Sequence, residues 1–438
     1  MPRPLQTMGW ITRPGPFMER MRDRYGDAFC LRIANEGTWV MLSDPDAVKQ
    51  VFTGDPRLLH AGEANAILRP LLGSSSVLLL DEREHMAQRK LLLPPFHGER
   101  MKAYGDLMTE VAEREVSSWP AGELVHARPR MQRLTLEIVM RAIFGVREDD
   151  RLERLRAALT AVLDWAMNPS RMAMVSLVGP DRLHRIPSFR GVTEPVDALI
   201  AEEIERRRGA ADLDERADIL SMLLGARHED DSPMTAVELR DELMTLLVAG
   251  HETTATALSW ALERLSRNRA AWDRLRSGDE EYLDAVIKET LRLRPVLPIV
   301  LRKLTEPMEI GGWELPAGVS AAPCIYLMHR RPDVYPEPDV FRPERFLERP
   351  AGTYTWIPFG GGVRRCLGAS FALFEMATVL RVIARHAARL EPDGPRPEPI
   401  ARRMITLVPG RDGRVRIGRP AAAPPPRAAA QRGATTSA

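Results

Sequence analysis

Between Asp81 and Leu293, apolar residues recur mostly at helical spacing among many Arg, Glu, Leu and Ala residues. Breaks at WPAGE, MNPSR, VGPDR and HEDDSP divide this stretch into several helices. Strand-like segments precede it, as AFCLRI and TWVMLS, and follow it, as PMEIGGWELPAG and ARRMITLVPGRDGRVRIG. The pattern therefore predicts a mainly α chain with a small β region that both ends contribute.

No linker-like break divides residues 14–418, so we predict one large domain there. Residues 1–13 are predicted to be an N-terminal extension. Residues 419–438 lack acidic side chains and have little to bury, which predicts a disordered tail. Asp44 and Pro45 predict the start of a helix at DPDAVKQVF, and turns are expected at Gly311-Gly312 and at 410–413.

The charges are nearly balanced, with 62 Lys and Arg against 60 Asp and Glu, which argues against a nucleic-acid partner. No stretch approaches the roughly 18 apolar residues of a membrane-spanning helix, so we predict no membrane anchor. Cys30, Cys324 and Cys366 are odd in number and far apart, which favours a reducing compartment and hence the cytoplasm. Cys30 and Cys324 lie in apolar contexts and are predicted to be buried.

The third cysteine follows a glycine-rich loop, in FGGGVRRCLG, and precedes a nearly all-apolar helical stretch. Glycines let a backbone approach another group closely, and the N-terminal end of a helix favours a thiolate. Any one such loop leaves open the alternative of a turn before a core helix with an incidental cysteine. The pattern Phe-x-x-Gly-x-Arg-x-Cys-x-Gly is met in full, and it resembles the haem-thiolate loop of the cytochrome P-450 family. Its positions here are Phe359, Gly362, Arg364, Cys366 and Gly368.

The resemblance implies the cytochrome P-450 fold, heme b (iron protoporphyrin IX) as cofactor, and Cys366 as the iron ligand. It also implies that Phe359 shields the sulfur from water and that Gly368 leaves room for the macrocycle. Arg364 is expected to bind a haem propionate, a carboxylate that needs a partner when buried.

Three more residues match propionate ligands of the family. His85 and Arg89 lie four residues apart in EHMAQRKLL, and Arg302 follows the apolar VLPIVL. Without the resemblance, His85 and Arg89 are equally well read as solvated side chains of an amphipathic helix. Their role at the cofactor is therefore what the resemblance implies.

AGHETT, residues 249–254, interrupts a long apolar stretch from about Ala236 to Leu265. An ordinary core helix is one interpretation, but a glycine, an acid and two threonines all weaken a helix there. The segment resembles the distal helix of the family, in which Ala249 and Gly250 form a gap for dioxygen and water. By the same resemblance, Glu252 and Thr253 are the acid and the alcohol that deliver protons. His251 is a lone histidine, so we interpret it as a helix residue that faces away from the iron and assign it no role.

ETLR places Glu289 and Arg292 on one face of a helix, a pair that is commonly a solvated surface bridge. In the family, this pair meets an arginine from a proline-rich segment, and FRPERF supplies Arg345. We therefore predict a buried triad.

The sequence is identified on these motifs as a soluble, bacterial-type cytochrome P-450 monooxygenase that inserts one oxygen atom of O2 into an apolar organic substrate. NAD(P)H would supply electrons through a separate ferredoxin or flavodoxin-type redox partner with its reductase. A peroxide-driven peroxygenase and a non-catalytic haem-thiolate binding or sensing protein remain alternatives. The substrate pocket is expected from about His60 to Leu79, Leu163 to Phe189, Met244 to Thr253, Val296 to Leu301 and Ile405 to Leu407.

Overall fold

The computed structural model describes residues 1–96, 100–145, 150–168, 171 and 179–418. The predicted disordered tail, residues 419–438, lies outside the described residues. So do residues 169, 170 and 172–178, which belong to the pocket segment predicted from Leu163 to Phe189. Within the described ranges, no helix has the length and apolar character needed to cross a bilayer.

Helices dominate the described residues, and the predicted mainly α architecture with a small β region is confirmed. Asp44 caps the helix predicted at DPDAVKQVF by accepting hydrogen bonds from two backbone N–H groups. The helices are α1 Arg3–Thr12, α2 Pro14–Tyr25, α3 Pro45–Thr53, α4 Ala61–Ala64, α5 Arg69–Leu72, α6 Glu82–Leu92, α7 Arg100–Ser117, α8 Ala127–Phe144, α9 Asp150–Met167, α10 Pro187–Arg208, α11 Ile219–Gly225, α12 Ala236–Ser266, α13 Arg269–Arg276, α14 Glu280–Leu293, α15 Ile325–Met328, α16 Arg345–Glu348 and α17 Ala369–His386.

Helix α12 confirms the long apolar helix predicted from AGHETT and its surroundings. It begins with a reciprocal capping pair, in which Thr235 accepts from the N–H of Glu238 and the Glu238 carboxylate accepts from the N–H of Thr235. Helices α8, α10, α14 and α17 pack against it. Because neighbours cover α12 on several sides, its buried residues lie around most of its circumference rather than along one face.

In the part of the chain that the structure describes, the strands form four small sheets. The largest has the order β1-β2-β8-β5-β3, with β2 parallel to β8 and the other pairs antiparallel. A second sheet has the order β4-β12-β9, and β6-β7 and β10-β11 are hairpins. The strands are β1 Ala28–Ile33, β2 Gly37–Leu42, β3 Leu59–His60, β4 Leu124–His126, β5 Arg302–Leu304, β6 Met308–Ile310, β7 Trp313–Leu315, β8 Ser320–Pro323, β9 Arg389–Pro392, β10 Ile400–Arg403, β11 Thr406–Pro409 and β12 Arg414–Gly418.

The hairpin turn predicted at Gly311-Gly312 is confirmed, and both glycines have positive φ. The segment at 410–413 does turn, but it connects strands of different sheets. Strand β11 instead pairs with β10 across Met404 and Ile405, where Met404 takes a φ of 50°. Methionine and isoleucine carry no turn signal, which is why the sequence did not indicate this hairpin.

The predicted N-terminal extension contains α1, and this helix packs on the first sheet. The ring of Trp10 lies edge-on to that of Trp39 with centroids 5.4 Å apart, and Trp10 is buried. Arg3 donates a hydrogen bond to the carbonyl oxygen of Ile33 at 2.9 Å. Residues 3–12 are thus attached to the sheet by both apolar and polar contacts.

The two predictions for the structural cysteines have different outcomes. Cys324 is buried, as predicted, and burial raises the pKa of its thiol to about 12. The prediction for Cys30 is wrong, because Cys30 is exposed. On β1, Phe29 and Leu31 point to the core, and the alternation of a strand places Cys30 on the other side.

The predicted triad is confirmed and entirely buried. Arg292 donates to both carboxylate oxygens of Glu289, at 2.7 and 2.8 Å, and Arg345 donates to the same carboxylate at 3.2 Å. Arg292 also donates to the carbonyl oxygens of His329 and Pro338. The triad thereby fixes the proline-rich segment before α16 against α14.

We expect Glu289→Ala to destabilise the fold by about 3–5 kcal/mol, because it leaves two buried guanidinium groups without their carboxylate. Urea unfolding and the yield of soluble haem-loaded protein measure this effect. Glu280→Ala is the control, since Glu280 lies on the same helix in a partly exposed pair with Arg381 and should contribute at most about 1 kcal/mol. Equal unfolding midpoints in the two variants would contradict the structural role of the triad.

Candidate functional site

The loop before Cys366 is a tight, closed turn. The N–H of Cys366 donates to the carbonyl oxygen of Phe359 at 3.0 Å, which closes the loop. Gly360 and Gly362 have φ of 66° and 65°, a conformation that favours glycine. A Cβ on Gly362 would lie 1.9 Å from the carbonyl oxygen of Phe52 at the end of α3. Glycine is therefore required for the loop to pack there and to present Cys366 just before α17.

Cys366 has an accessible surface, yet burial dominates the electrostatics of its thiol. Both hold when a side chain lines a cavity inside the protein. Burial raises the pKa of the thiol, while a backbone hydrogen bond from Gly368 and the charges of Arg89 and Arg365 lower it. We expected the helix terminus to favour the thiolate, but burial outweighs that effect in the protein alone. A bound metal cation would have to displace the proton.

A second accessible strip lies in the middle of α12. Ala249 is exposed, and Leu246, Gly250 and Thr253 are partly exposed, although the helices around α12 bury most of its other residues. These positions share one helical face. Helix α17, which starts just after Cys366, packs against α12. We infer that Cys366 and this strip border the same internal cavity.

Thr253 and Gly250 have different surroundings within the strip. The Thr253 hydroxyl donates to the carbonyl oxygen of Ala249 at 2.6 Å, one turn earlier. A Cβ on Gly250 would lie 3.2 Å from a methyl group of Val139 on α8. Gly250 therefore also allows the close packing of α8 on α12.

Four cationic or basic side chains from three separate parts of the chain come together near Cys366. Arg89 and His85 lie on α6, Arg302 on β5, and Arg364 in the cysteine loop. Burial and the charges of Arg364, Arg89 and Arg302 lower the pKa of His85 to about 3. Burial, with the charge of Arg364 second, lowers the pKa of Arg302 to about 10. The sequence predicted these four residues for one site, and the structure brings them together.

Asp81 is an acid within this cluster. Arg364 donates to Asp81 and to the carbonyl oxygens of Val77 and Leu80. Burial lowers the pKa of Arg364 to about 10, and the charge of Asp81 opposes that change. Among the described residues, Asp81 is the carboxylate that interacts with Arg302 and Arg364, and Arg89 adds a third guanidinium group, so the cluster has two more positive charges than negative ones. A flat, dianionic group beside the thiol of Cys366 would fit this charge.

Segment 73–81, which connects α5 and α6, is tied to α12 as well as to Arg364. Three successive residues make the contacts to α12. The N–H of Ser75 donates to Asp241 at 2.9 Å, the hydroxyls of Ser76 and Thr245 lie 2.7 Å apart, and the N–H of Val77 donates to Glu242 at 2.7 Å. Burial raises the pKa of Glu242 to about 8.

Glu252 points away from the accessible strip, toward α8. Its carboxylate accepts hydrogen bonds from Arg128 at 2.7 Å and from Gln132 at 2.6 Å. The side chains of Arg128 and Glu252 are 5% and 6% exposed. His251 also faces α8, where its Nδ1 lies 3.0 Å from the Thr135 hydroxyl and burial lowers its pKa to about 4.

The sequence did not indicate the partners of Glu252, because Arg128 and Gln132 lie more than a hundred residues before it. It also missed Glu375 on α17. Glu375 is fully buried, which raises the pKa of its carboxyl group, and a hydrogen bond with the side chain of Thr254 opposes that rise. Thr254 therefore has a polar partner that its place in AGHETT did not suggest.

The other predicted pocket segments are partly brought together. The N–H of Leu407 donates to the carbonyl oxygen of Val296 at 2.7 Å. Phe359 packs on Trp356, with ring centroids 6.1 Å apart. His60 does not line an apolar surface, because both its ring nitrogens face carboxylates.

Comparison with known protein sequences identifies the family of this chain. The sequence model of the cytochrome P450 family matches residues 5–412. The putative cytochrome P450 135B1 of Mycobacterium tuberculosis is 44% identical over 415 residues, which cover 92% of this chain and 86% of that protein. The putative cytochrome P450 135A1 of the same organism is 38% identical over 425 residues, with 95% and 94% covered.

Solved structures agree with the predicted fold. The retinoic acid-bound cyanobacterial CYP120A1 has a TM-score of 0.82 at 24% identity, with 94% of this chain and 96% of that chain covered. The haem domain of cytochrome P450DA has a TM-score of 0.79 at 25% identity, with 93% of each chain covered. The predicted fold is thus confirmed. From the matched length and the level of identity, the chain belongs to the cytochrome P450 family and is a haem-dependent monooxygenase.

Proposed function

We propose that this monooxygenase hydroxylates or epoxidises an apolar organic molecule, with electrons from NAD(P)H that a ferredoxin or flavodoxin-type partner and its reductase deliver. The observation that carries the proposal is that Cys366 and a strip of the otherwise buried α12 are both accessible, from which we infer that they border one cavity. One wall offers a thiol to a metal, and the other offers apolar side chains and a single hydroxyl, that of Thr253. This pairing suits an oxidant held close to an apolar substrate.

We assign heme b to this cavity, with Cys366 as the iron ligand. Bound haem supplies the iron that accepts electrons and binds O2. His85, Arg89 and Arg302 would hold the propionates together with Arg364, and the two uncompensated positive charges of the cluster suit two carboxylates. Phe359 would shield the sulfur from water, and Gly368 would leave room for the macrocycle. Ala249 and Gly250 would form the gap for dioxygen and water.

Proton delivery is assigned to Thr253 and Glu252. The Thr253 hydroxyl lies on the accessible strip, where it can hold a water molecule at the cavity wall. The Glu252 carboxylate can take up protons on the α8 side, but it must release Arg128 and Gln132 before it can pass them to the cavity. We therefore propose that Glu252 changes rotamer during turnover.

The presence of both Glu252 and Thr253 favours an NAD(P)H-dependent reaction over a peroxide-driven one, which does not need this acid–alcohol pair. Consumption of NADPH with added redox partners, compared with turnover on hydrogen peroxide alone, separates these reactions. A protein that binds haem but shows neither would fit the sensing alternative. Spectral titration with fatty acids, terpenes and steroids is the experiment that identifies the substrate class.

We expect Cys366→Ala to lose the strongly red-shifted absorption of the reduced carbon monoxide complex, because that shift requires a thiolate on the iron. Cys30→Ala is the matched control, since Cys30 is exposed on β1 and should leave the spectrum unchanged. A red shift that survives in Cys366→Ala would overturn the ligand assignment.

In Thr253→Ala, we expect haem binding and NADPH consumption to persist while the yield of hydrogen peroxide per NADPH rises and that of product falls. The reason is that water loses its anchor at the cavity wall. Ser259→Ala is the control, because Ser259 makes the same 2.6 Å bond to the carbonyl four residues before it, two turns further along α12. Thr254→Ala would not serve as a control, because it would leave Glu375 without its hydrogen bond. Unchanged coupling in Thr253→Ala would contradict the assignment.

For Glu252→Gln, we expect slower turnover with a larger solvent isotope effect, because the amide cannot carry the proton. The matched comparison is Asp412→Asn. This change removes a second carboxylate, whose oxygen lies 3.6 Å from the guanidinium group of Arg128, and leaves Glu252 as the proposed proton donor. If both variants slow turnover equally, the effect comes from disturbance of Arg128 rather than from loss of an acid.

A further inference from the structure

His60 lies among carboxylates at the outer side of the cation cluster. Its Nδ1 is 2.9 Å from Glu63, its Nε2 is 2.9 Å from Glu82, and Asp81 is 3.8 Å from Nδ1. The side chain is only 13% exposed. The mechanism proposed above uses none of these contacts.

The geometry defines the charge of this imidazole. A neutral ring donates from one nitrogen only, whereas here an acceptor carboxylate faces each nitrogen at hydrogen-bonding distance. Both hydrogen bonds form together only in the imidazolium. Burial lowers the pKa of His60, but the bonds to Glu63 and Glu82 and the charge of Asp81 outweigh it, so the pKa is raised overall.

Asp81 connects this imidazolium to the cofactor site. Its carboxylate accepts from the N–H groups of Gly62 at 2.8 Å and Glu63 at 3.0 Å, and it also accepts from Arg364. The same carboxylate therefore lies between His60 on one side and the arginine assigned to the haem on the other. Any change in the charge of His60 changes how strongly Asp81 attracts Arg364.

Charged groups from every neighbouring element contribute to the field at His60. Lys303 on β5 pairs with Glu63 at 2.8 Å, and Arg57 interacts with Glu82. Apart from His60, none of these groups has an ordinary pKa between pH 6 and 9. The full set is Arg57, Glu63, Asp81, Glu82, Lys303 and Arg364.

We propose that His60 is a positioning residue of the haem site, whose positive charge, transmitted through Asp81 and Arg364, favours the reduced protein and makes its reduction potential depend on pH. The inference rests on the proposed binding of haem at Cys366 and Arg364. Bound haem would accept one electron from the donor, and the added negative charge would strengthen the binding of one proton, taken from water, at the His60 ring.

The sign follows from this linkage. Below the pKa of His60, the imidazolium is present in both oxidation states, and the potential is at its higher level. As pH rises through that pKa, the proton is lost, and the potential falls. Because the pKa of His60 is raised, the fall is expected on the alkaline side of the ordinary value for histidine.

The test is stepwise reduction of the haem-loaded enzyme with dithionite and redox mediators at a series of pH values from about 6 to about 9. For wild type, we expect a sigmoidal fall of the midpoint potential with pH. For His60→Gln, the potential at the acid end should be lower, equivalent to about a threefold smaller ratio of reduced to oxidised protein at fixed ambient potential. The sigmoidal component should also be missing.

Glu82→Gln provides an independent arm that does not remove the histidine. Glu82 is 47% exposed, so its substitution should not prevent folding. Losing one carboxylate at Nε2 should move the inflection to lower pH. His228→Gln is the control, because His228 also pairs with a glutamate, at 3.3 Å from Glu238, but outside this cluster.

The outcomes separate the two levels of the proposal. If the variants bind haem and give the red-shifted carbon monoxide complex, yet show the wild-type dependence of potential on pH, the role of His60 is wrong and the cofactor site stands. If wild type itself does not bind haem, the proposed function fails. An unmoved inflection in Glu82→Gln would also overturn the role of His60.

Discussion

The structure depends on the burial of several like charges around one cavity. Arg302 and Arg364 are largely buried beside each other and beside His85, and burial together with mutual repulsion lowers the pKa of all three. Such a cluster is unfavourable in a protein alone, because desolvation is not repaid by enough anions. In the proposed complex, the two carboxylates of haem would supply the missing negative charge. Binding of the cofactor should therefore be coupled to the stability of the fold around α6, β5 and the cysteine loop.

Different interactions hold the two walls of the inferred cavity, namely backbone packing on one side and side-chain hydrogen bonds on the other. The loop before Cys366 is fixed by backbone contacts that admit only glycine, because a Cβ on Gly362 would collide with the carbonyl oxygen of Phe52. The α12 wall is fixed by polar side chains that point away from the cavity and form hydrogen bonds with neighbouring helices. Glu252 binds Arg128 on α8, and Thr254 binds Glu375 on α17. The cavity face of α12 carries Leu246, Ala249, Gly250 and Thr253, which are apolar apart from one hydroxyl. Rigid support behind an adaptable face suits an enzyme that orients an apolar molecule.

Local patterns explain what the sequence could predict. The cysteine loop, the Glu289–Arg292 pair and α12 each lie within a short segment whose spacing fixes the geometry. The sequence could not reveal contacts between distant segments, such as Arg128 with Glu252 or His60 with Glu82, because any of many acids and bases could have met. Cys30 was mispredicted for a similar reason, since the apolar residues around it do not say which face of β1 is covered.

Segment 73–81 binds α12 through Ser75, Ser76 and Val77 and the cysteine loop through the carbonyl oxygens that Arg364 contacts. In the proposed complex, a single stretch of backbone would thus border the substrate and support the cofactor. Selectivity and cofactor retention would then not be independent traits in this chain. An engineer who reshapes the pocket at this segment should expect to lose haem along with the old specificity, and would find more freedom in the residues near Val296 and Leu407.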